Sequence, residues 1–196
     1  SIINFFKDYK FYVLFIIFAS AALVGGYFFS KSVKSNQIQA AKVLYEDWQV
    51  TLVQEDRDQL FQNLIENYSD TGYSHLALLK KGSDLAKENY LEESIDIFYQ
   101  LKENSDGLFG NSLMNGIARV NIARISIALG KFEDALAVLE KYSKDEDAYT
   151  HELKGDALSG VGKDDLALQQ YQNAFEKYTD NGLSLIHISE PTRPPE

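Results

Sequence analysis

The chain contains one long uncharged apolar stretch, residues 11–29, with the sequence FYVLFIIFASAALVGGYFF. An α-helix of this length would extend about 28 Å, close to the roughly 30 Å hydrocarbon core of a bilayer. The sequence after it is polar, acidic and periodic. We therefore predict a transmembrane helix at residues 11–29, preceded by a short flank at residues 1–10 and followed by one water-exposed domain.

A cleaved secretion signal is the alternative interpretation of this stretch. Lys7 and Lys10 precede the apolar run, and Ala19-Ser20-Ala21 resembles a signal-peptidase site. Cleavage there would release a periplasmic binding module. The apolar run continues to Phe29, however, so the released chain would begin with exposed aromatic side chains. This favours an uncleaved anchor.

Small residues recur at i, i+4 within the apolar run, as the pairs Ala21/Gly25 and Ala22/Gly26. This spacing lets a second membrane helix approach closely. We predict that these four residues contact a membrane partner.

The domain after the apolar run is strongly acidic. Residues 1–34 carry four lysines and one aspartate, and residues 183–196 carry one arginine and two glutamates. The whole-chain charge of −10 therefore leaves −12 for residues 35–182. Such a domain repels nucleic-acid phosphates and anionic lipid surfaces, so we expect protein partners and no nucleic acid.

Two helices are predicted before the first repeat. Residues 30–52 form a juxtamembrane helix whose apolar residues are spaced three and four apart: Ile38, Ala41, Tyr45, Trp48 and Leu52. A second helix carries Leu60, Phe61, Leu64, Ile65 and Tyr68 on one face and ends at residues 69–72. We expect the first apolar seam to pack onto the domain.

From residue 73 the chain repeats itself. The sequence GKFEDA at residues 130–135 recurs as GKDDLA at residues 162–167, and a weaker copy, NYLEES, begins at Asn89. A small residue stands seven positions before each turn residue: Gly82, Ala123 and Gly155. The first two copies are farther apart than the last two, and the extra residues fall in a polar loop at residues 104–111.

The order of small residue, turn glycine, small residue and large apolar residue is typical of tetratricopeptide repeats. We therefore predict an all-α chain, with one N-terminal transmembrane helix followed by a degenerate tetratricopeptide-like solenoid of helical hairpins at residues 53–182. Its turns lie near Asn89, Gly130 and Gly162.

A helix at residues 111–129 carries two apolar stripes, which is typical of a helix between two layers. One stripe is Leu113, Ile117, Val120 and Ile127, and the other is Met114, Ala118, Ile122, Ile125 and Leu129. Arg124 interrupts the first stripe; we favour an ion pair, with a partner-facing role as the alternative. The repeat register places four predicted partner-binding residues near one surface: Leu79, Arg124, Tyr149 and Asp156.

No catalytic chemistry is predicted. The sequence has no cysteine, no phosphate-binding glycine loop, no nucleophile elbow and no paired-histidine metal motif. His75 and His151 are isolated, and the acidic run at residues 145–147 has no calcium-loop spacing around it. We expect a non-enzyme without a cofactor or metal site.

The last residues do not fit the repeat pattern. All three prolines lie within residues 191–195, and the helical pattern stops at Tyr178. Residues 183–194, LSLIHISEPTRP, match the translation of a transposase sequencing adapter. We interpret residues 183–196 as foreign to the protein and expect them to add nothing to the core.

The order of these parts resembles the ancillary SecYEG translocon subunit family, which consists of single-span bacterial proteins with a tetratricopeptide-like domain. The residues that carry the resemblance are 77–94, 120–139 and, most specifically, the KGDAL at 154–158 followed by GKD at 162–164. The resemblance implies an inner-membrane protein with a cytoplasmic N-terminus and a periplasmic domain. It also implies association with the SecYEG translocon and a periplasmic prolyl-isomerase-like chaperone, in protein translocation.

A structural scaffold for envelope assembly or cell division, with the same repeats and no translocon contact, is the alternative function. The sequence alone does not separate the two.

Overall fold

The computed structural model describes the backbone of residues 2–107, 110–140 and 147–189, and the side chains of residues 11–12, 14–107, 110–140 and 147–179. Within these ranges the chain has eight α-helices and no strand, which confirms the predicted fold class. The helices are α1 (Ile2–Val50), α2 (Gln54–Asn67), α3 (Gly72–Lys87), α4 (Leu91–Asn104), α5 (Ser112–Ala128), α6 (Phe132–Glu140), α7 (Ala148–Gly160) and α8 (Asp164–Ser189). The chain divides into two compact units, Ser1–Ser74 and His75–Glu196.

The first unit is built on α1, a continuous helix of 49 residues. It is the one helix among the described residues that is long and apolar enough to cross a membrane, and its apolar window is not buried in the protein. Large side chains such as Phe15 and Phe18 are more than two-thirds exposed, at 72% and 76%. The large apolar side chains of residues 14–29 of α1 therefore lie exposed on the surface of the protein.

The second half of α1 packs against α2. Ala41 and Trp48 are buried on α1, and Phe61 and Leu64 are buried on α2. The rings of Trp48 and Phe61 lie 5.7 Å apart. The predicted seam therefore packs onto its neighbour through its central residues.

The prediction fails at the end of that seam. Leu52 is 97% exposed, because α1 ends at Val50 and Leu52 lies in the connection to α2. The periodicity of the side chains continues past the point where the helix stops, so spacing alone assigned Leu52 wrongly to the seam.

The second unit contains three helical hairpins, α3–α4, α5–α6 and α7–α8, and their turns lie where the repeats predict. Asn89, Gly130 and Gly162 adopt φ values of 66°, 72° and 74°. The backbone amide of the residue that follows each of them donates a hydrogen bond to a carbonyl near the end of the preceding helix. These bonds run from Tyr90 to Leu85, from Lys131 to Ser126 and from Lys163 to Leu158. This is the Schellman arrangement, which satisfies the last carbonyls of a helix and favours glycine or asparagine at the turn.

The small residues before the turns allow the paired helices to approach. A Cβ atom built on Gly82 would lie 3.0 Å from the Phe98 ring, and one built on Gly155 would lie 2.5 Å from the Tyr171 ring. Ala123 stands at the matching position in the middle hairpin and is fully buried. The predicted repeat register is therefore confirmed.

Helix α5 occupies the centre of the unit and packs against α4, α6 and α7. Ala118, Ile122 and Ile125, from one predicted stripe, are buried. The other stripe is not: Leu113 is 68% exposed, and Ile117 and Val120 are only partly covered. The prediction of burial on two sides is thus wrong for this second stripe, because the hairpins stack beside α5 and leave its remaining face open.

Polar side chains of α5 donate hydrogen bonds to carbonyls at the C-terminal ends of neighbouring helices. Nδ2 of Asn115 donates a hydrogen bond of 2.8 Å to the Lys102 carbonyl in the last turn of α4. Nη1 of Arg119 donates one of 3.1 Å to the Val138 carbonyl in the last turn of α6. Helix C-termini leave carbonyls without intrahelical partners, and these bonds satisfy two of them.

Helix α8 continues to Ser189, past the predicted end at Tyr178. The side chains of residues 180–196 lie outside the described residues, so the interpretation of residues 183–196 stays a prediction.

Candidate partner-binding surface

The first helix of each hairpin presents a matching set of partly or fully exposed positions. Ile117, Val120 and Arg124 on α5 correspond, one repeat later, to Tyr149, Glu152 and Asp156 on α7. The wider offset between the first two repeats gives Leu76, Leu79 and Ser83 on α3. We call these nine residues the first-helix face. Because α5 packs directly on α7, equivalent positions on the two helices are neighbours.

The chemistry of the first-helix face changes from hairpin to hairpin. On α3 it is mainly apolar, and Leu76 is 39% exposed. On α5 it combines two aliphatic residues with the exposed Arg124. On α7 it combines Tyr149, which is 37% exposed, with two carboxylates. The face is therefore suited to a partner segment that is apolar along most of its length and basic at one end.

The four sequence-predicted residues of the soluble domain all lie on the first-helix face. Leu79 is half-buried on α3, Arg124 is exposed on α5, and Tyr149 and Asp156 are exposed on α7. The sequence reasoning missed the other five residues of this face: Leu76, Ser83, Ile117, Val120 and Glu152. Applying the offsets between the repeats to every exposed position would have found them.

Arg124 does not form the ion pair that we favoured. Its Nη2 donates a hydrogen bond of 2.9 Å to Oδ1 of Asn121, one turn earlier on α5, and no carboxylate among the described residues pairs with it. The ion-pair interpretation is therefore wrong for this part of the chain. The guanidinium remains exposed and keeps donors for a partner, since it carries five N–H groups.

Two tyrosines of α8 anchor the carboxylates of α7. The Tyr171 hydroxyl donates to Oδ1 of Asp156 at 2.9 Å, and the Tyr178 hydroxyl donates to Oε2 of Glu152 at 3.0 Å. Partial burial, the hydrogen bond to Asp156 and the charges of both carboxylates raise the pKa of Tyr171 to about 12. The hydrogen bond to Glu152, then desolvation and nearby charge, raise the pKa of Tyr178. The tyrosines hold the carboxylates in place and leave oxygen lone pairs for a partner.

The two histidines of this unit whose side chains are described make structural contacts. Nε2 of His75 lies 3.1 Å from the Asn104 carbonyl at the end of α4, and Nδ1 of His151 lies 2.8 Å from Oε1 of Gln170. No group of three or more potential metal ligands occurs among the described residues. Asp147 caps α7 by accepting from the Thr150 amide at 2.7 Å, and residues 145–146 lie outside the described residues.

The four small residues predicted to contact a membrane partner lie on α1 and are exposed. A Cβ atom built on Gly25 or Gly26 would meet no atom within 4 Å. The small-residue face is thus open, and its partner contact stays a prediction.

A comparison with family models agrees with this architecture. The model of the tetratricopeptide repeat-like domain family matches residues 4–189. The chain belongs to this family. Repeats of this kind are typically non-catalytic scaffolds for protein interactions, because stacked hairpins present extended surfaces. No curated protein and no solved structure matches the chain.

Proposed function

We propose that this tetratricopeptide repeat-like protein is a non-catalytic, membrane-anchored platform that binds other proteins. The observation that carries the proposal is the first-helix face, which brings the exposed Arg124, Tyr149 and Asp156 onto adjoining helices of a repeat scaffold. Apolar positions with charged groups at their margin are typical of a protein interface.

The anchor is α1. In this proposal residues 11–29 span the membrane and the remaining helices stand on one side of it, since the large apolar side chains of residues 14–29 are exposed. A tether confines the platform to the membrane surface, and the higher effective concentration lets weak contacts suffice.

The finer assignment rests on the resemblance to the ancillary SecYEG translocon subunits. On this proposal the protein lies in the bacterial inner membrane with a cytoplasmic N-terminus and a periplasmic domain. It joins the SecYEG translocon to a periplasmic prolyl-isomerase-like chaperone and assists newly translocated proteins. A scaffold for envelope assembly or cell division is the second candidate, and it uses the same surfaces with other partners.

Affinity purification of the full chain in mild detergent tests the assignment. The small-residue face of α1 is changed by Ala22→Leu with Gly26→Leu, and the first-helix face is changed by Arg124→Glu. We expect the first variant to lose the translocon and keep the chaperone, and the second to lose the chaperone and keep the translocon. Both losses would be measured by quantifying the co-purified proteins.

Each variant has a matched control. Ser20→Leu with Val24→Leu places two leucines on the side of α1 opposite Ala22 and Gly26, because two residues correspond to about 200° around the helix. Lys131→Glu makes the same charge change as Arg124→Glu at an exposed turn position away from the first-helix face. If the native protein recovers neither partner while the SecYEG channel stays intact, the translocon assignment fails and the scaffold takes its place.

A further inference from the structure

A crevice of about 590 Å³ lies within the first unit, where α1 leaves its apolar run. One wall is a stripe of α1, and the other is the short connection between α2 and α3. The lining residues are Phe29, Ser30, Val33, Lys34, Gln37, Ile38, Asp70, Thr71 and Gly72. Its volume falls within the range of small-molecule sites, roughly 300–1,000 Å³.

The position of the crevice relates it to the membrane surface, a step that rests on the proposed anchor. Phe29 is the last residue of the apolar run, and Lys34 follows five residues later, about 7.5 Å along the helix. The headgroup layer on each side of a bilayer is roughly 5–8 Å thick. The end of the crevice formed by Phe29 and Lys34 therefore lies at the level of phospholipid headgroups.

The crevice contains one group of each charge. Lys34 and Asp70 both line it, and neither forms an ion pair with any described residue. The Thr71 hydroxyl is already engaged, since it donates to the Tyr68 carbonyl and accepts from the Ser74 amide. The two charges are thus the ionic groups of the crevice that remain for a ligand.

A zwitterionic headgroup matches this pair. The Lys34 ammonium complements a phosphate, and the Asp70 carboxylate complements a ligand ammonium that can donate hydrogen bonds. Phe29, which is 73% exposed, and Val33, which is 41% exposed, offer apolar contact to the glycerol and the first acyl carbons. An anionic headgroup fits less well, because its phosphate would leave Asp70 unmatched within an acidic domain.

We propose that this crevice binds the headgroup of a zwitterionic phospholipid with a primary ammonium group, that is, a phosphoethanolamine lipid. The bound lipid would fix the height and rotation of α1 at the membrane surface.

Native mass spectrometry of the full chain in detergent tests the site, with added phosphatidylethanolamine or phosphatidylglycerol as the probe. We expect one retained phosphatidylethanolamine per chain and weaker retention of phosphatidylglycerol. Lys34→Glu should lower phosphatidylethanolamine affinity roughly tenfold, as expected for losing one charge-assisted hydrogen bond. Lys31→Glu is the matched control, because Lys31 lies on the same helix and does not line the crevice; it should leave the affinity unchanged.

Equal losses for Lys34→Glu and Lys31→Glu, or equal retention of both lipids, would overturn the proposal. Carbonate washing of membranes separates this result from the proposed function. If carbonate leaves the chain in the membrane and Lys34→Glu does not weaken lipid binding, the lipid site alone is refuted. If carbonate releases the chain from the membrane, the anchor is refuted as well.

Discussion

The Tyr171 ring of α8 lies directly over Gly155 of α7, so that a Cβ atom on Gly155 would be 2.5 Å from Cε1. Phe98 has the same relation to Gly82 in the first hairpin, and the same sequence interval separates the two residues. In the middle hairpin this interval joins Ala123 to Leu139, and both are fully buried. One large side chain over one small residue thus sets the distance between paired helices in each repeat.

Gly155→Ala should therefore destabilise the protein. Neither the rigid ring nor the backbone can yield without disturbing the α7–α8 contact, and overpacking of this kind costs about 1–3 kcal/mol. Urea unfolding of the full chain in detergent, followed by circular dichroism, measures the change. Gly72→Ala is the control, because a Cβ there meets no atom within 4 Å. Equal midpoints for wild type and Gly155→Ala would contradict the close packing.

A second prediction concerns the turns. Gly130 has a φ of 72°, and left-handed backbone costs a residue with a Cβ about 1–2 kcal/mol. Gly130→Ala should lower the free energy of unfolding by about 1 kcal/mol, since reduced freedom of the unfolded chain offsets part of that cost. Gly130→Asn should lose less, because Asn89 occupies the same position in the first hairpin with a φ of 66°. Thermal unfolding that ranks asparagine below alanine would contradict this argument.

The features that the sequence predicted well are local ones. Gly130 and Gly162 mark turns whose backbone needs a positive φ, and that need is visible in the residue type itself. Small residues such as Gly155 and Ala135 recur at fixed sequence distances from those turns. The positions at which the paired helices pack therefore follow once the turns are placed. The heptad spacing likewise identified Trp48 as a packed residue of α1.

The features that sequence reasoning missed depend on distant partners. Arg119 reaches the Val138 carbonyl only because the α5–α6 hairpin closes, and nothing in the spacing of the two residues indicates a bond. We expected an ion pair for Arg124 because its side chain is charged, yet the guanidinium donates a hydrogen bond to the neutral Asn121. The pairing of Tyr171 with Asp156 was missed for the same reason, although Asp156 itself was among the predicted residues of the surface.

The small residues after the turns should be as sensitive as those before them. Ala135 is fully buried and Ala167 is 2% exposed, so neither site has room for a larger side chain. We expect Ala135→Leu and Ala167→Leu each to cost about 1–3 kcal/mol in urea unfolding. Ala137→Leu makes the same change at a less buried position of α6 and should stay close to wild type. Similar losses at Ala135 and Ala137 would mean that the repeat register is misplaced.

The last prediction follows from the hydroxyl that joins α8 to α7. The pKa of Tyr171 is raised to about 12 from an ordinary value of 10.0. The folded chain therefore keeps this proton between pH 10 and about 12, where the unfolded chain releases it. Because the folded state binds more protons in this window, its stability falls as the pH rises through it, and the contribution is complete below about pH 10.

Absorbance titration of tyrosinate in the folded chain tests this assignment. Wild type should show a late phase near pH 12 that is missing in Tyr171→Phe. Asp156→Asn should move that phase to lower pH, because it removes a charge that opposes ionisation. Tyr90→Phe, at an exposed turn of the first hairpin, should leave the late phase in place. A late phase of unchanged amplitude in Tyr171→Phe would show that the Tyr171 hydroxyl is not held by Asp156 in solution, and that this part of the first-helix face is arranged differently.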